Sequence, residues 1–195
     1  VWSILITKEG TVWVGTEDGI DQFQSENGIY KHSNRLTSDL SGNTIRYLFE
    51  DKTGNIWIST YNGVDCLNPL SGIIAHFENI PGNPSSLGNN RIRTICQDTA
   101  GSLWFGTTDG LDKLEQGTNE FIHFKNDSGN PDSISNNIIW SLMVDRSGVL
   151  WIGTLNGGVN RLSLTKQVFI CYRNNPGNAN SLSNNIVKSI YQDQN

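Results

Sequence analysis

The sequence predicts an all-β protein that consists of a tandem array of four-stranded units. A Trp-centred phrase recurs at intervals of about 47 residues. Short runs rich in Ile, Val and Trp alternate with turns rich in Gly, Asn and Ser, and no helical pattern of useful length lies between them. Four short antiparallel strands repeated at this period are typical of the blades of a β-propeller.

The repeat is clearest in two sets of positions. The Trp residues are 44, 47 and 47 residues apart, and an Asn marks the same register at intervals of 47, 47 and 48. The doubled Gly157–Gly158 accounts for the longer last interval. The two sets are Trp13, Trp57, Trp104 and Trp151, and Asn43, Asn90, Asn137 and Asn185. The sequence thus predicts a partial propeller with blades at about 1–33, 43–79, 90–126 and 137–174, and the first strand of a fifth blade at about 185–195.

The third unit, residues 90–126, illustrates the strands of one blade. "RIRTICQD", "SLWFGT", "LDKL" and "FIHF" are the four predicted strands, and tight turns join them. The second strand is apolar on consecutive residues, which is expected when both faces of a strand are buried. We therefore predict that the four Trp residues are structural and fill the space between neighbouring blades.

An Asp three residues before a Gly marks the turn that leads into the second strand. Asp accepts hydrogen bonds from the N–H groups that follow it, and Gly tolerates positive φ. We interpret these residues as turn residues rather than catalytic carboxylates, because they recur once in each of three blades: Asp51, Asp98 and Asp145, with Gly54, Gly101 and Gly148. Thr7 takes the place of the Asp in the first blade.

Composition narrows the function classes. The net charge is −5 with a pI near 5.1, and no basic stretch predicts contact with nucleic acid. No apolar run approaches the roughly 20 residues that span a bilayer. The chain starts without Met or a signal peptide, which predicts an excerpt of a longer protein.

The sequence predicts neither a metal nor a cofactor. Three cysteines lack the spacing of a metal site, and the sequence does not determine their disulfide state: Cys66, Cys96 and Cys171.

The unit N-x-I-x-x-I-x-x-D-x-x-G-x-L-W-I-G-T-x-x-G-L-x-x-L resembles the two-component regulator propeller repeat. The loops "PGNPSSLGNN", "SGNPDSISNN" and "PGNANSLSNN", which precede three of the first strands, strengthen the resemblance, whereas "YKHSNRLTSDLSGN" before the second blade lacks the GNP element. The resemblance implies the periplasmic sensor region of a hybrid histidine kinase/response regulator of Bacteroides-type bacteria, anchored in the inner membrane by another part of the parent chain. It implies no enzyme activity for this region itself, although the parent would be a histidine kinase.

No phosphoacceptor or ATP-binding motif accompanies that resemblance. His32, His76 and His123 lie in predicted fourth strands, and we interpret them as polar residues of the outer strand.

The candidate ligand site lies where first strands line the channel of a propeller. Residues two and five positions after the marker Asn stay apolar, but the residue three positions after it is cationic or aromatic: Trp2, Arg46, Arg93, Trp140 and Lys188. Such side chains suit sugar rings and carboxylate or sulfate groups. The turns between second and third strands open on the same face and add Asp18, Tyr61, Asn62, Asp109 and Asn156. We expect an oligosaccharide ligand.

Two other functions stay open at this stage. Propellers also host enzymes that act on polysaccharides, such as sialidases and lyases, and passive protein-interaction scaffolds.

An arc of four blades leaves two blade faces without a neighbour, and exposed apolar surface of that kind favours association. We therefore expect the chain to form a homodimer.

Overall fold

The computed structural model describes residues 1–23, 39–163 and 168–193, and the strands of these residues form four antiparallel sheets. Within each sheet the strands are neighbours in the order in which they occur along the chain, so each sheet is a meander. The predicted all-β fold with four blades is confirmed. The fourth strand predicted for the first blade, with His32, lies outside the described residues.

The strand bounds follow the repeat. The first sheet contains β1 (Ser3–Ile6), β2 (Val12–Gly15) and β3 (Ile20–Phe23). The second contains β4 (Tyr47–Glu50), β5 (Ile56–Ser59), β6 (Val64–Leu67) and β7 (Ile74–Phe77). The third contains β8 (Ile92–Gln97), β9 (Leu103–Thr107), β10 (Leu111–Leu114) and β11 (Phe121–Phe124). The fourth contains β12 (Ile139–Val144), β13 (Leu150–Thr154), β14 (Val159–Ser163) and β15 (Val168–Tyr172).

The first strands of successive sheets meet at a common axis. β1 contacts β4, β4 contacts β8, and β8 contacts β12. Gly106 on β9 permits this approach, because a Cβ there would lie 2.6 Å from a methyl group of Ile139 on the next first strand. The sheets are therefore stacked as blades around that axis.

The hydrophobic core lies between the sheets rather than inside any one of them. Three clusters each combine residues of two successive sheets. Trp13, Trp57 and Trp104 are buried in these seams, whereas Trp151 keeps some exposure because no described sheet covers its outer face. Full burial of a large apolar side chain contributes about 1.5–3 kcal/mol, so these seams supply most of the cohesion between blades.

Both end sheets of the arc expose apolar side chains. The exposed residues are Val1, Trp2, Ile4 and Ile6 at one end, and Ile170, Tyr172, Ile186 and Tyr191 at the other. Val1 and Ile4 occupy positions that are apolar in every repeat, and their counterparts Ile45 and Leu48 are buried. Homodimer formation through these faces stays a prediction.

Residues 185–193 form no β-strand, which differs from the first strand of a fifth blade that the repeat predicts. A β-strand needs an adjacent strand to which it is hydrogen-bonded, and no strand of the described residues pairs with this segment. The segment is nevertheless docked as the first strands are: Val187 N–H donates to Thr154 O (3.0 Å), as Ile45 N–H donates to Thr16 O (2.8 Å).

Polar ties join the turn of one blade to the first strand of the next or, after the fourth blade, to the segment 185–193. Lys52 donates its N–H to Gln97 Oε1 (2.7 Å) and its Nζ to Asp98 O (2.7 Å). Lys8 makes the same ties to Glu50 and Asp51, and Arg146 to Gln192 and Asp193. Between the third and fourth blades the equivalent residues are Thr99 and Val144, and no such tie joins them among the described residues.

The Asp of each turn also binds the Trp of its own blade, a contact that sequence analysis missed. The indole Nε1–H donates to Asp Oδ2 at 3.0 Å in Trp57–Asp51, 2.9 Å in Trp104–Asp98 and 2.7 Å in Trp151–Asp145. Burial by itself would raise the pKa of Asp145, but hydrogen bonds from Ser147, Trp151 and Val149 outweigh it and lower the pKa to about 2. The turn and the core Trp are thus one unit.

In the second, third and fourth blades, a polar residue of the third strand holds the loop that precedes the blade. Asp65 Oδ2 accepts from the N–H of Ser41, and Asp112 Oδ2 accepts from the N–H of Gly88, both at 2.9 Å. In the fourth blade Asn160 Oδ1 accepts from Ser135 N–H at 3.0 Å. Each loop is therefore tied to the blade that follows it.

The adjacent fourth strand determines the charge of this tie. His76 and His123 contact Asp65 and Asp112 through Nδ1 at 2.7 Å. The corresponding pair in the fourth blade is the neutral Asn160–Cys171. The hydrogen bond from His123 to Asp112 raises the pKa of His123 above its ordinary value despite partial burial.

We predict that Asp98 and Trp104 stabilise the fold jointly. Asp98→Ala leaves a buried indole N–H unpaired, which costs about 1–3 kcal/mol of unfolding free energy. A double-mutant cycle with Trp104→Phe, measured by urea unfolding, should give a coupling of about 1 kcal/mol. The cycle of Thr7→Ala with Trp13→Phe is the control and should show no coupling, because Thr7 Oγ1 accepts from Thr11 N–H instead. Equal coupling in both cycles would contradict the prediction.

We also predict that the Asp112–His123 pair makes stability depend on pH. Because the pKa of His123 is higher in the folded chain, its contribution is complete below the ordinary His pKa of 6.5 and is lost as pH rises through the folded pKa. The double variant Asp112→Asn/His123→Cys copies the neutral pair of the fourth blade. Chemical unfolding should show that wild type gains stability relative to this variant as pH falls from about 8.5 to about 5.5. A difference that stays constant over that range would contradict the prediction.

Candidate functional site

The residues three positions after the marker Asn meet in one cavity at the axis. The cavity has a volume of about 390 Å³ and takes residues from all four sheets or their leading segments. It is lined by Trp2, Arg46, Tyr47, Thr60, Tyr61, Arg91, Ile92, Arg93, Thr108 and Trp140. Four of the five residues in the predicted column, and Tyr61 from the predicted turns, are thus brought together.

An irregularity of the first strand directs these side chains. The register of β8 with β9 skips Arg93, and that of β12 with β13 skips Trp140, so each is the extra residue of a β-bulge. Bulges re-aim side chains and are common beside functional sites. Trp2 and Arg46 lie at the same point of their repeats, immediately before β1 and β4.

The cationic and aromatic side chains of the cavity are stacked on one another. Arg46 Cζ lies 3.8 Å from the ring centroid of Trp2 and 5.6 Å from that of Tyr61. Arg93 Cζ lies 4.0 Å from the ring centroid of Trp140, across the seam between the third and fourth sheets. Each such contact contributes about 0.5–2 kcal/mol and fixes the plane of the guanidinium group.

The cavity is positively charged although the chain is acidic overall. Three of the lining residues are Arg and none is Asp or Glu. Burial, followed by the charges of Arg46 and Arg91, holds the pKa of Arg93 below its ordinary value. Arg93 Nε and Trp140 Nε1 are buried and find no acceptor in the described part of the chain. The site therefore has donors and positive charge in excess.

The other predicted ligand residues lie outside this cavity. Lys188 Nζ lies 6.0 Å from the ring centroid of Trp140, which lines the cavity. Asn62 donates to Ser41 O at 2.6 Å, and Asp109 pairs with Lys125 at 2.6 Å. Asn156 adopts a φ of 66°, which suits a turn, and Asp18 lies exposed in the first such turn.

Sequence analysis missed Arg91, which lines the cavity two residues before Arg93. It follows the marker Asn directly, a position where the other repeats have Thr44, Ile138 and Ile186. A cation that occurs in only one repeat gives no repeat signal. The only sign in the sequence is that Arg91 is charged where the equivalent residue of the other repeats is small or apolar.

The three cysteines are not paired with one another in the structure. Cys66, Cys96 and Cys171 are free thiols, and burial raises the pKa of Cys66 to about 11. No group of His, Cys, Asp and Glu residues suited to a metal ion occurs among residues 1–23, 39–163 and 168–193. In the same residues no helix is long and apolar enough to cross a membrane.

The stacked meanders define the chain as an arc of β-propeller blades, and solved structures show the same fold. The extracellular domains of two proteins from Bacteroides thetaiotaomicron, described as the hybrid two component systems BT3049 and BT4673, superpose with TM-scores of 0.73 and 0.77. Their sequence identities to this chain are 24% and 23%. The superpositions cover 88% and 98% of this chain, but only 24% of the chain of each of the two proteins. The chain thus spans about a quarter of their length.

Four segments match the family described as "Two component regulator propeller": residues 1–18, 39–62, 86–109 and 133–156. Together with the repeat period, these matches show that the chain belongs to the two-component regulator propeller family.

A lyase has a similar fold. Virginiamycin B lyase from Staphylococcus aureus superposes with a TM-score of 0.63 at 14% identity, over 88% of this chain and 54% of the lyase. At these identities the structural likenesses show the fold alone. No curated protein matches the chain in sequence.

We predict that Arg91 lowers stability slightly in the absence of ligand. It is exposed, lies near two other cations and makes no side-chain hydrogen bond to another described residue. Arg91→Gln should leave the unfolding free energy unchanged or raise it by up to ~0.5 kcal/mol at low salt, and the difference should shrink in high salt. Urea unfolding at two salt concentrations measures this. A loss above ~1 kcal/mol would contradict the prediction.

Proposed function

We propose that the chain is part of the periplasmic sensor region of a two-component system and binds a glycan-derived ligand in the axial cavity. Family membership supports the sensor role, and the mixture of aromatic faces and Arg side chains supports the ligand class. The observation that carries the proposal is the convergence of Trp2, Arg46, Arg93 and Trp140 from four blades on one cavity.

The proposed mechanism transmits position and involves no chemical step. A ligand that contacts several blades at the axis changes their relative positions as rigid bodies. The parent protein would be an inner-membrane histidine kinase and response regulator, and the shift would alter its output on the transcription of polysaccharide-use genes. Any such shift is limited by the difference in the ligand's affinity for the two arrangements.

Calorimetry of the full chain against a panel of oligosaccharides tests the proposal. Trp140→Ala should weaken binding about tenfold, which corresponds to ~1.4 kcal/mol of lost contact. Tyr191→Ala is the control, because Tyr191 is a highly exposed aromatic residue that does not line the cavity. Thermal unfolding verifies that both variants are folded. Equal weakening by both variants, or cleavage of a bound glycan, would contradict the proposal.

A further inference from the structure

We infer that the axial cavity selects glycans that carry an oxyanion, such as a uronate carboxylate or a sulfate ester, over neutral glycans. The inference rests on the proposed function, because it specifies the chemical class of the ligand at the same site. It follows from the charge of the cavity, from the fixed orientation of its cations and from the aromatic surfaces beside them.

The positive charge of the cavity is not neutralised by the protein. Among the described residues, the guanidinium groups of Arg46, Arg91 and Arg93 make no ion pair and donate no hydrogen bond. No acidic side chain lines the cavity. Because the whole chain has a net charge of −5, three unpaired cations in about 390 Å³ are a local feature and not a consequence of composition.

The cations repel one another in the absence of a ligand. All three groups line one cavity. Burial lowers the pKa of Arg93 most, and the positive charges of Arg46 and Arg91 lower it further. A bound anion would remove this repulsion and accept hydrogen bonds that the guanidinium groups now lack. Arg binds carboxylate and sulfate groups well because its N–H donors form a planar fork.

Two of the three cations are already oriented for binding. The indole rings of Trp2 and Trp140 cover one face each of Arg46 and Arg93, at 3.8 and 4.0 Å. Stacking uses the face of the guanidinium group and leaves donors at its edge available, so less side-chain entropy is lost when a ligand binds. Arg91, which is exposed, is free to close on the same anion.

The aromatic side chains favour a sugar acid over a small inorganic anion. Trp2 and Tyr61 are about half exposed and present apolar ring surface to the cavity. A pyranose ring has apolar C–H faces that pack against such rings while an attached acid group reaches the Arg side chains. The cavity volume lies at the small end of the range for ligand sites, which suits a short oligosaccharide.

The test compares matched ligands on the full chain by isothermal titration calorimetry. The ligands are a galacturonate oligosaccharide, a sulfated galactose oligosaccharide and a neutral galactose oligosaccharide of equal length, with inorganic sulfate as the probe for the anion alone. Arg93→Gln should weaken binding of the acidic ligands by about tenfold or more and that of the neutral ligand by less than about twofold. Arg161→Gln is the matched control, because Arg161 is also half-buried but does not line the cavity. Thermal unfolding verifies that both variants are folded.

Each outcome decides the inference. It is supported if an acidic oligosaccharide binds at least tenfold more tightly than the neutral one and only Arg93→Gln removes the preference; the two acidic ligands then separate carboxylate from sulfate. Equal affinity for neutral and acidic ligands overturns the inference but leaves the proposed function intact. Equal weakening by Arg93→Gln and Arg161→Gln also overturns it, because the effect would then be a general one of charge. If no oligosaccharide binds, both the inference and the proposed function fail.

Discussion

The face-to-face packing of neighbouring sheets is the interaction on which the rest of the structure depends. Each sheet has few residues and no core of its own, and each apolar cluster draws on two sheets. The side chain that fills each seam is a large and rigid Trp, and in the second and third blades the Asp of the preceding turn holds its indole nitrogen. A blade is therefore stable only beside another blade, which is why the sequence repeats one phrase rather than varying it.

The cavity at the axis follows from this packing. Contacts between successive sheets bring the first strands together, and the bulges in β8 and β12 turn Arg93 and Trp140 away from the ladder. The residues at that point are released from the packing rule that governs the rest of the strand. These residues can be cationic or aromatic without disturbing the core. The repeat therefore keeps its fold while the residue three positions after the marker Asn varies from blade to blade and lines the cavity.

Sequence analysis predicted the parts of this structure that recur. The Trp and Asn registers predict the blades, and the column of Trp2, Arg46, Arg93 and Trp140 predicts the residues that meet in the axial cavity. It missed what occurs once or depends on pairing across strands. Arg91 has no charged counterpart in the other repeats. The Asp–His pairs of the second and third blades are replaced by Asn160–Cys171 in the fourth, and these two residues are 11 positions apart in the sequence and meet only when β14 pairs with β15. The segment 185–193 shows that a strand-like sequence also needs a hydrogen-bonded neighbour to become a strand.

The seam between the third and fourth blades lacks the polar ties that Lys8, Lys52 and Arg146 supply elsewhere, because Thr99 and Val144 occupy those positions in the described chain. Opening this seam at its turn end breaks fewer hydrogen bonds than opening its neighbours. The Arg93–Trp140 stack bridges the same seam at the axis. A molecule that separates or tightens that stack therefore acts at the axial end of a seam that has no Lys or Arg tie at its turn end.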